Sequence, residues 1–155
     1  MKKYILPLLL IMSAPALAQV DDTSLIDFGE TESLVISSGD KAHDFNVEIA
    51  DSDAKQAQGL MFRESLAPDA GMLFEFAAPK VATIWMKNTE VSLDILFIRA
   101  DGRIVKIEHA AQPQSLRSAS SEVIVAAVLE LPAGRTEELG ITPGDFVQHD
   151  FFAVE

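Results

Sequence analysis

The sequence predicts a small, mainly β domain, built as a compact antiparallel β-sandwich or distorted barrel with two short helices. Short runs with apolar residues at every second position recur along the chain, as at 43–50. Asp101-Gly102 separates two such runs, at 94–100 and 103–109, and is the strongest short hairpin signal in the chain. Because no long helix joins consecutive strands, a doubly wound parallel sheet is disfavoured.

The remaining elements are predicted from the same kinds of signal. Residues 51–53 offer N-caps for a short helix at 54–58, which Gly59 can end. A second short helix is predicted between Pro132 and Gly140. Further strands are predicted at 33–37, 72–76, 81–86, 122–131 and 146–154.

The N-terminus has the three parts of a secretory signal peptide: Lys2-Lys3, an uncharged run at 5–17, and the small-x-small triplet Ala16-Leu17-Ala18. We expect cleavage after Ala18 and a periplasmic or secreted product. An uncleaved membrane anchor is the less favoured alternative, because the apolar run is short for a bilayer. The predicted organisation is therefore a signal peptide at 1–18, an acidic leader at 19–32 and a single β-rich domain at 33–155.

Composition excludes several functions. The chain has 155 residues, a formal net charge of −12 and no cysteine. Without cysteine there is no thiol catalysis, disulfide exchange, thiolate metal site or lipid attachment. An acidic surface repels phosphate backbones and anionic head groups, so we expect no nucleic-acid partner and no membrane binding after signal cleavage. The protein is expected to be a monomer.

Two carboxylates fall on strand faces that are otherwise apolar. Asp94 shares a face with Leu96 and Ile98, and Glu130 shares one with Val128 and Ala126. A carboxylate in such surroundings must find a cation or several hydrogen-bond donors, or its pKa rises. We expect at least one of the two to be shielded from water and paired with Arg63 or Lys87. The alternative is catalytic, with Asp94 and Glu130 acting as acid and base.

Four residues are candidates for ligand binding: Arg63, Trp85, Lys87 and Asn88. Trp85 is the only tryptophan and precedes polar residues near the end of a predicted strand. An aromatic side chain with a polar rim is typical of sites for sugar-like or peptide ligands, although an ordinary core tryptophan is the more frequent case. Arg63 and Lys87 would supply positive charge for an anionic ligand.

No cofactor or metal site is predicted. The histidines, His43, His109 and His149, form no short metal-binding spacing and are interpreted as surface residues. Copper binding by methionines is a minor alternative to ordinary core packing. The serines at 115–121 lie outside any Gly-x-Ser-x-Gly elbow, so a serine hydrolase has no support.

Six short strings occur in order along the chain: QGLMFRE at 58–64, GMLF at 71–74, WMKNT at 85–89, LDILFI at 93–98, AVLEL at 127–131 and GITPGD at 140–145. Together they resemble the family catalogued as domain of unknown function 192, from about His43 to Phe151. The resemblance implies a compact, mainly β domain, often exported in bacteria, with no established activity. The family's signature positions fall on Gly59, Met61, Arg63, Trp85, Met86, Lys87, Asn88, Asp94, Glu130, Gly144 and Asp145.

The function these observations favour is non-catalytic binding of a small ligand or cell-envelope partner in the periplasm. Two alternatives stay open: a hydrolase or lyase that uses Asp94 and Glu130, and a purely structural or assembly module.

The signal peptide makes a direct prediction: the exported chain begins at Gln19 and is found in the soluble fraction. N-terminal sequencing and fractionation measure this. A chain that begins at Met1, or one retained in the membrane fraction, contradicts it.

Overall fold

The protein's computed structural model describes residues 25–152, which form a curled seven-stranded sheet with two short α-helices. The strands are β1 (Glu32–Ser38), β2 (Lys41–Ala50), β3 (Ala70–Ile84), β4 (Leu93–Ile98), β5 (Ile104–Ala111), β6 (Ala119–Pro132) and β7 (Phe146–Gln148). The helices are α1 (Asp53–Gln58) and α2 (Arg135–Leu139), and a 3₁₀ turn follows at Asp150–Phe152. The predicted signal peptide at 1–18 lies outside the described residues.

The sheet has the strand order β5-β4-β6-β3-β2-β1-β7, and it curls into a distorted barrel, as predicted. Most neighbouring strands are antiparallel, but β2 and β3 are parallel. At this pair the sheet departs from the antiparallel pairing that the sequence predicts. The connection from β2 through α1 and the following loop carries the chain back along the sheet, which a parallel pair requires.

The curled sheet closes where β7 meets the predicted β4–β5 hairpin. Arg103 forms an isolated bridge with Phe146, and the backbone N–H of Val147 donates to the carbonyl of Gly102 at 2.8 Å. Gly102 has φ +82°, and a Cβ at this position would lie 2.5 Å from the Val147 carbonyl oxygen. Glycine is required here both by the backbone conformation and by this close approach.

Both faces of the central strands are buried. One hydrophobic cluster contains residues from all seven strands, including Phe45, Leu73 and Leu129, and fills the barrel interior. A second cluster lies on the opposite face of the four strands β2, β3, β6 and β4. The loops around Leu60 and Met86 cover this outer face, together with Phe28 from the predicted leader.

Two strand boundaries differ from the sequence-based expectation. The predicted strands 72–76 and 81–86 belong to the single strand β3, whose register with β6 shifts between Glu75 and Lys80. This irregularity accommodates Pro79, which has no N–H for a ladder hydrogen bond. At the C-terminal end, β7 stops at Gln148, and the predicted strand end at 153–154 lies outside the described residues.

The second helix also starts later than expected, because Pro132 ends β6 and α2 begins at Arg135. Within residues 25–152, neither helix is long and apolar enough to cross a membrane.

Candidate functional site

The two candidate carboxylates lie on opposite faces of the sheet. In the β4–β6 register, Asp94 is paired with Leu131, and Ile95 is paired with Glu130. Because directly paired residues share a face and successive residues alternate, Asp94 faces the barrel interior and Glu130 faces the outer cluster. A catalytic acid–base couple needs both groups on one substrate, so this geometry removes the support for the Asp94–Glu130 pair.

Asp94 is completely buried and is satisfied by hydrogen bonds. Its Oδ2 accepts from the Thr136 backbone N–H at 3.0 Å and from the Thr136 hydroxyl at 2.6 Å. Its Oδ1 accepts from the backbone N–H groups of Ala110 and Gly134 at 3.0 and 3.1 Å. The carboxylate therefore joins β4 to the end of β5 and to the start of α2. These contacts assign Asp94 a structural role.

Burial raises the pKa of Asp94, but the hydrogen bonds from Thr136, Ala110 and Gly134 outweigh burial and leave this pKa below its ordinary value. Thr136 Oγ1 also lies 3.2 Å from Nδ1 of His109. The expected pairing of Asp94 with Arg63 or Lys87 is wrong, because backbone and hydroxyl donors satisfy the carboxylate instead.

Glu130 has the opposite environment. It is 5% exposed, and no hydrogen bond or ion pair to its carboxyl group occurs within residues 25–152. Its register partners are Met72 on β3 and Ile95 on β4, both fully buried. Burial alone raises the pKa of Glu130 to about 8, so the side chain carries its proton at neutral pH. Pairing of Glu130 with Arg63 or Lys87 is therefore also wrong.

Glu130 lines a small cavity of about 90 Å³ on the outer face. The walls come from the end of α1 and the turn that follows it, from β3, and from the loop between β3 and β4. Its polar and aromatic lining includes Gln56, Gln58, Phe74, Thr83, Trp85 and Thr89, and Met61 adds an apolar side chain. Glu130 is the only ionisable residue among the residues that line it.

Two local contacts hold the loops that form this cavity. The backbone N–H of Phe62 donates to the Asn88 carbonyl at 2.8 Å, and the Asn88 side-chain amide lies 4.0 Å from the Met61 sulfur. Asn88 has φ +55°, a conformation that asparagine tolerates better than most residues. Asn88 therefore positions the cavity wall.

On the other wall, Gln56 Nε2 donates to the carbonyls of Ala50 and Glu75, which ties α1 to β2 and β3.

The other predicted binding residues separate into two places. Trp85 is 51% exposed at the cavity, and the Lys87 ammonium lies 5.2 Å from the centre of its ring. Arg63 is elsewhere: it pairs with Glu48, with a 3.0 Å hydrogen bond, and its guanidinium stacks over Phe28. The structure thus brings together Trp85, Lys87 and Asn88. The Arg63 guanidinium instead contacts Glu48 and Phe28.

The interpretation of all three histidines as surface residues is wrong for His149, whose side chain is 4% exposed. Its Nε2 lies 3.1 Å from Glu32, and its Nδ1 lies 3.8 Å from Glu75. Nε2 of His43 is buried without a hydrogen-bond partner in the described part of the chain. The alternation of polar and apolar residues along a strand cannot identify buried histidines such as His43 and His149, because each lies beside an exposed aspartate in the sequence. Across residues 25–152, no group of three or more histidine and acidic side chains is arranged to hold a metal ion.

Residues 34–149 match the DUF192 family, described as an uncharacterized ACR. The chain belongs to DUF192. This confirms the resemblance found in the ordered sequence strings. The match includes both Asp94 and the whole lining of the Glu130 cavity.

Two solved structures resemble the DUF192 chain over most of its length. One protein, from Sinorhizobium meliloti 1021, is provisionally described as a transcription regulator; it is 39% identical, with a TM-score of 0.77, over 80% of this chain and 96% of its own. The other is a protein of unknown function from Novosphingobium aromaticivorans DSM 12444, 37% identical, with a TM-score of 0.75, over 77% of this chain and 85% of its own. No curated protein matches the DUF192 chain.

The environment of Asp94 predicts that Asp94→Asn is less stable than wild type at neutral pH and that its stability depends less on pH in acid. With a lowered folded pKa, Asp94 stabilises the fold above about pH 4 and loses this contribution as pH falls through the folded value. Asparagine cannot accept from all four donors, so we expect a loss of about 2–4 kcal/mol at neutral pH that shrinks in acid. Urea denaturation from neutral to acidic pH measures this.

Glu90→Gln, at an exposed position, is the control for Asp94→Asn and should change stability by less than about 0.5 kcal/mol. Stability curves of Asp94→Asn and wild type that run parallel in acid would contradict the role assigned to Asp94.

The environment of Glu130 predicts that Glu130→Gln stabilises the protein at alkaline pH. Its folded pKa of about 8 is raised from 4.5. The stability that the protonated Glu130 carboxyl contributes is therefore fully present below the unfolded pKa and is lost as pH rises through the folded pKa. Glutamine does not ionise, so we expect a gain of about 2–4 kcal/mol near pH 8 and little change near pH 4.

Denaturant unfolding at both pH values measures the effect of Glu130→Gln, with Glu64→Gln as an exposed control. An equal effect of Glu130→Gln at the two pH values would show that folding does not raise the pKa of Glu130.

Proposed function

We propose that this DUF192 chain is an exported periplasmic domain that binds a small ligand, without catalysis, in the cavity between Trp85 and Glu130. The observation that carries the proposal is a carboxyl group that is 5% exposed, has no partner within residues 25–152, and lines an open cavity. A shielded polar group without a hydrogen-bond partner costs free energy, and a ligand that supplies the partner would recover this cost.

The cavity walls support binding rather than simple packing. Trp85 leaves half of its surface exposed at the mouth, where it offers an aromatic face for stacking. Amide and hydroxyl groups from Gln58, Thr83 and Thr89 line the cavity. A few polar groups converging on an apolar pocket with one perturbed carboxyl is a common composition of ligand sites.

A hydrolase or lyase that uses Asp94 and Glu130 together has lost its support, because the two side chains face opposite sides of the sheet. A role in binding DNA, which the description of the Sinorhizobium meliloti protein raises, is opposed by the net charge of −12. Such a charge weakens contact with the phosphate backbone.

Export is part of the proposal because of the N-terminal sequence pattern. The absence of cysteine is compatible with an oxidising compartment, and the ligand would then come from the cell envelope.

The binding proposal predicts a change in Trp85 fluorescence, because Trp85 is the only tryptophan in the chain and lies at the cavity. We expect members of a panel of envelope saccharides, short peptides and small amines to shift its emission and to raise the melting temperature. Trp85→Ala should weaken binding at least about tenfold, as measured by thermal shift or calorimetry.

Leu116→Ala is the matched control for Trp85→Ala, because Leu116 is 70% exposed and does not line the cavity. A panel that changes neither emission nor melting temperature contradicts the proposal. Ligands that bind Trp85→Ala as well as wild type also contradict it, because the binding site would then lie elsewhere.

A further inference from the structure

Three glutamates lie in one row across the outer face of the sheet. The registers pair Glu48 with Met72, Met72 with Glu130, Glu130 with Ile95, and Ile95 with Glu108. Paired residues share a face, so the three carboxylates of β2, β6 and β5 point to the same side, each separated from the next by one apolar residue.

The two outer carboxylates of this row have arginine partners, and the middle one has none. Glu48 binds Arg63 with a 3.0 Å hydrogen bond, and Glu108 lies 3.7 Å from the Arg117 guanidinium. Glu130 is the most buried of the three, yet no cation contacts it within the described part of the chain. Lys87, in the loop between β3 and β4, lies over the Trp85 ring.

We infer that the cavity binds a ligand through a small ammonium group, which supplies the positive charge that Glu130 lacks. This inference rests on the binding function proposed above and specifies the chemical class of its ligand.

The lining favours a cation over an anion. Glu130 is the only ionisable residue among those that line the cavity, and no arginine or lysine is among them. Phe74 and Trp85 contribute aromatic rings to the lining, and aromatic rings attract cations to their faces. An anion would find hydrogen-bond donors on Gln58, Thr83 and Thr89 but no cationic side chain in this lining. The earlier expectation that Arg63 and Lys87 receive an anionic ligand therefore does not describe this cavity.

The size of the cavity limits what enters it. A volume of about 90 Å³ is space for a few water-sized groups. A primary ammonium with its adjacent carbon fits this space, while the rest of the ligand would lie against the half-exposed Trp85.

The proton balance of binding follows from the neutral state of the Glu130 carboxyl. At neutral pH the Glu130 carboxyl keeps its proton, because burial raises its pKa to about 8. When R–NH₃⁺ enters, Glu130 ionises, its proton leaves to solvent, and the ammonium stays protonated in the ion pair. One proton is released for each ammonium bound below the pKa of Glu130, and none is released well above it.

The test is a titration of wild type followed by Trp85 emission, with two matched probe pairs: ethanolamine against ethylene glycol, and glucosamine against glucose. Each pair exchanges an amine for a hydroxyl. We expect the amines to bind at least about tenfold more tightly. The Kd of ethanolamine, which keeps its ammonium proton over this range, should fall about tenfold per pH unit between roughly pH 6 and pH 8 and then level off, because one proton is released on binding. Glucosamine is a weaker base, so it is compared with glucose only near about pH 6, where its amine is protonated.

Variants distinguish the effect of Glu130 from the effects of the other charged groups near this face. Those groups are Glu48 with Arg63, Glu108 with Arg117, and Lys87. Glu130→Gln should abolish both the pH slope and the preference for amines. Glu108→Gln, in the same row but outside the cavity, should keep both. If Glu130→Gln fails to fold, the pH slope of wild type still tests the inference.

Equal binding of the amine and hydroxyl probes, or an amine Kd that does not change with pH, overturns the ammonium inference while leaving small-ligand binding intact. Binding of anionic probes in preference to amines overturns it in the same way. Absence of binding by all four probes also overturns the inference, and the wider ligand panel then decides whether the binding function itself stands.

Discussion

The antiparallel pairing of β3 with β6 is the constraint on which the rest of the molecule depends. These are the two longest strands, and they lie at the centre of the sheet. Because the central sheet is covered on both faces, every side chain of the β3–β6 centre must enter either the barrel interior or the outer cluster. A polar side chain at these positions is largely shielded from bulk water, so it needs a partner inside the protein or a cavity beside it. This pairing places Glu130 next to Met72 and beneath the cavity.

The two buried carboxyl groups, of Asp94 and Glu130, have opposite environments. Asp94 accepts four hydrogen bonds, stays ionised and holds α2 and the end of β5 against the barrel. Glu130 accepts none from residues 25–152 and is held neutral by burial. A hydrogen-bonded carboxylate is a structural anchor, whereas an unsatisfied carboxyl beside a cavity is available to a ligand. Since both residues look alike as isolated polar positions in apolar strands, this difference is what separates scaffold from candidate site.

The outer layer explains how a small β protein makes a pocket without a wide barrel. The barrel interior is filled by side chains from all seven strands. Loops laid over the outside of the sheet form the cavity instead, and Gln56 and Asn88 fix those loops to each other and to the strands. Two related structures with about two fifths of their residues identical share the fold.

The sequence by itself determined the mainly β class, the Asp101-Gly102 hairpin, the family, and the presence of Asp94 and Glu130 in apolar strands. These follow from local rules: side-chain alternation, turn chemistry and ordered short strings. Only the tertiary structure decided which side chains contact Asp94, Glu130 and Arg63. Alternation gives two faces for each strand but does not say which faces of β4 and β6 coincide, and the register of Ile95 with Glu130 separates the two carboxylates. The partner of Arg63, Glu48, lies 15 residues away in the chain. Charge pairing depends on distance in space, and in this protein the loops that cross the outer face set that distance.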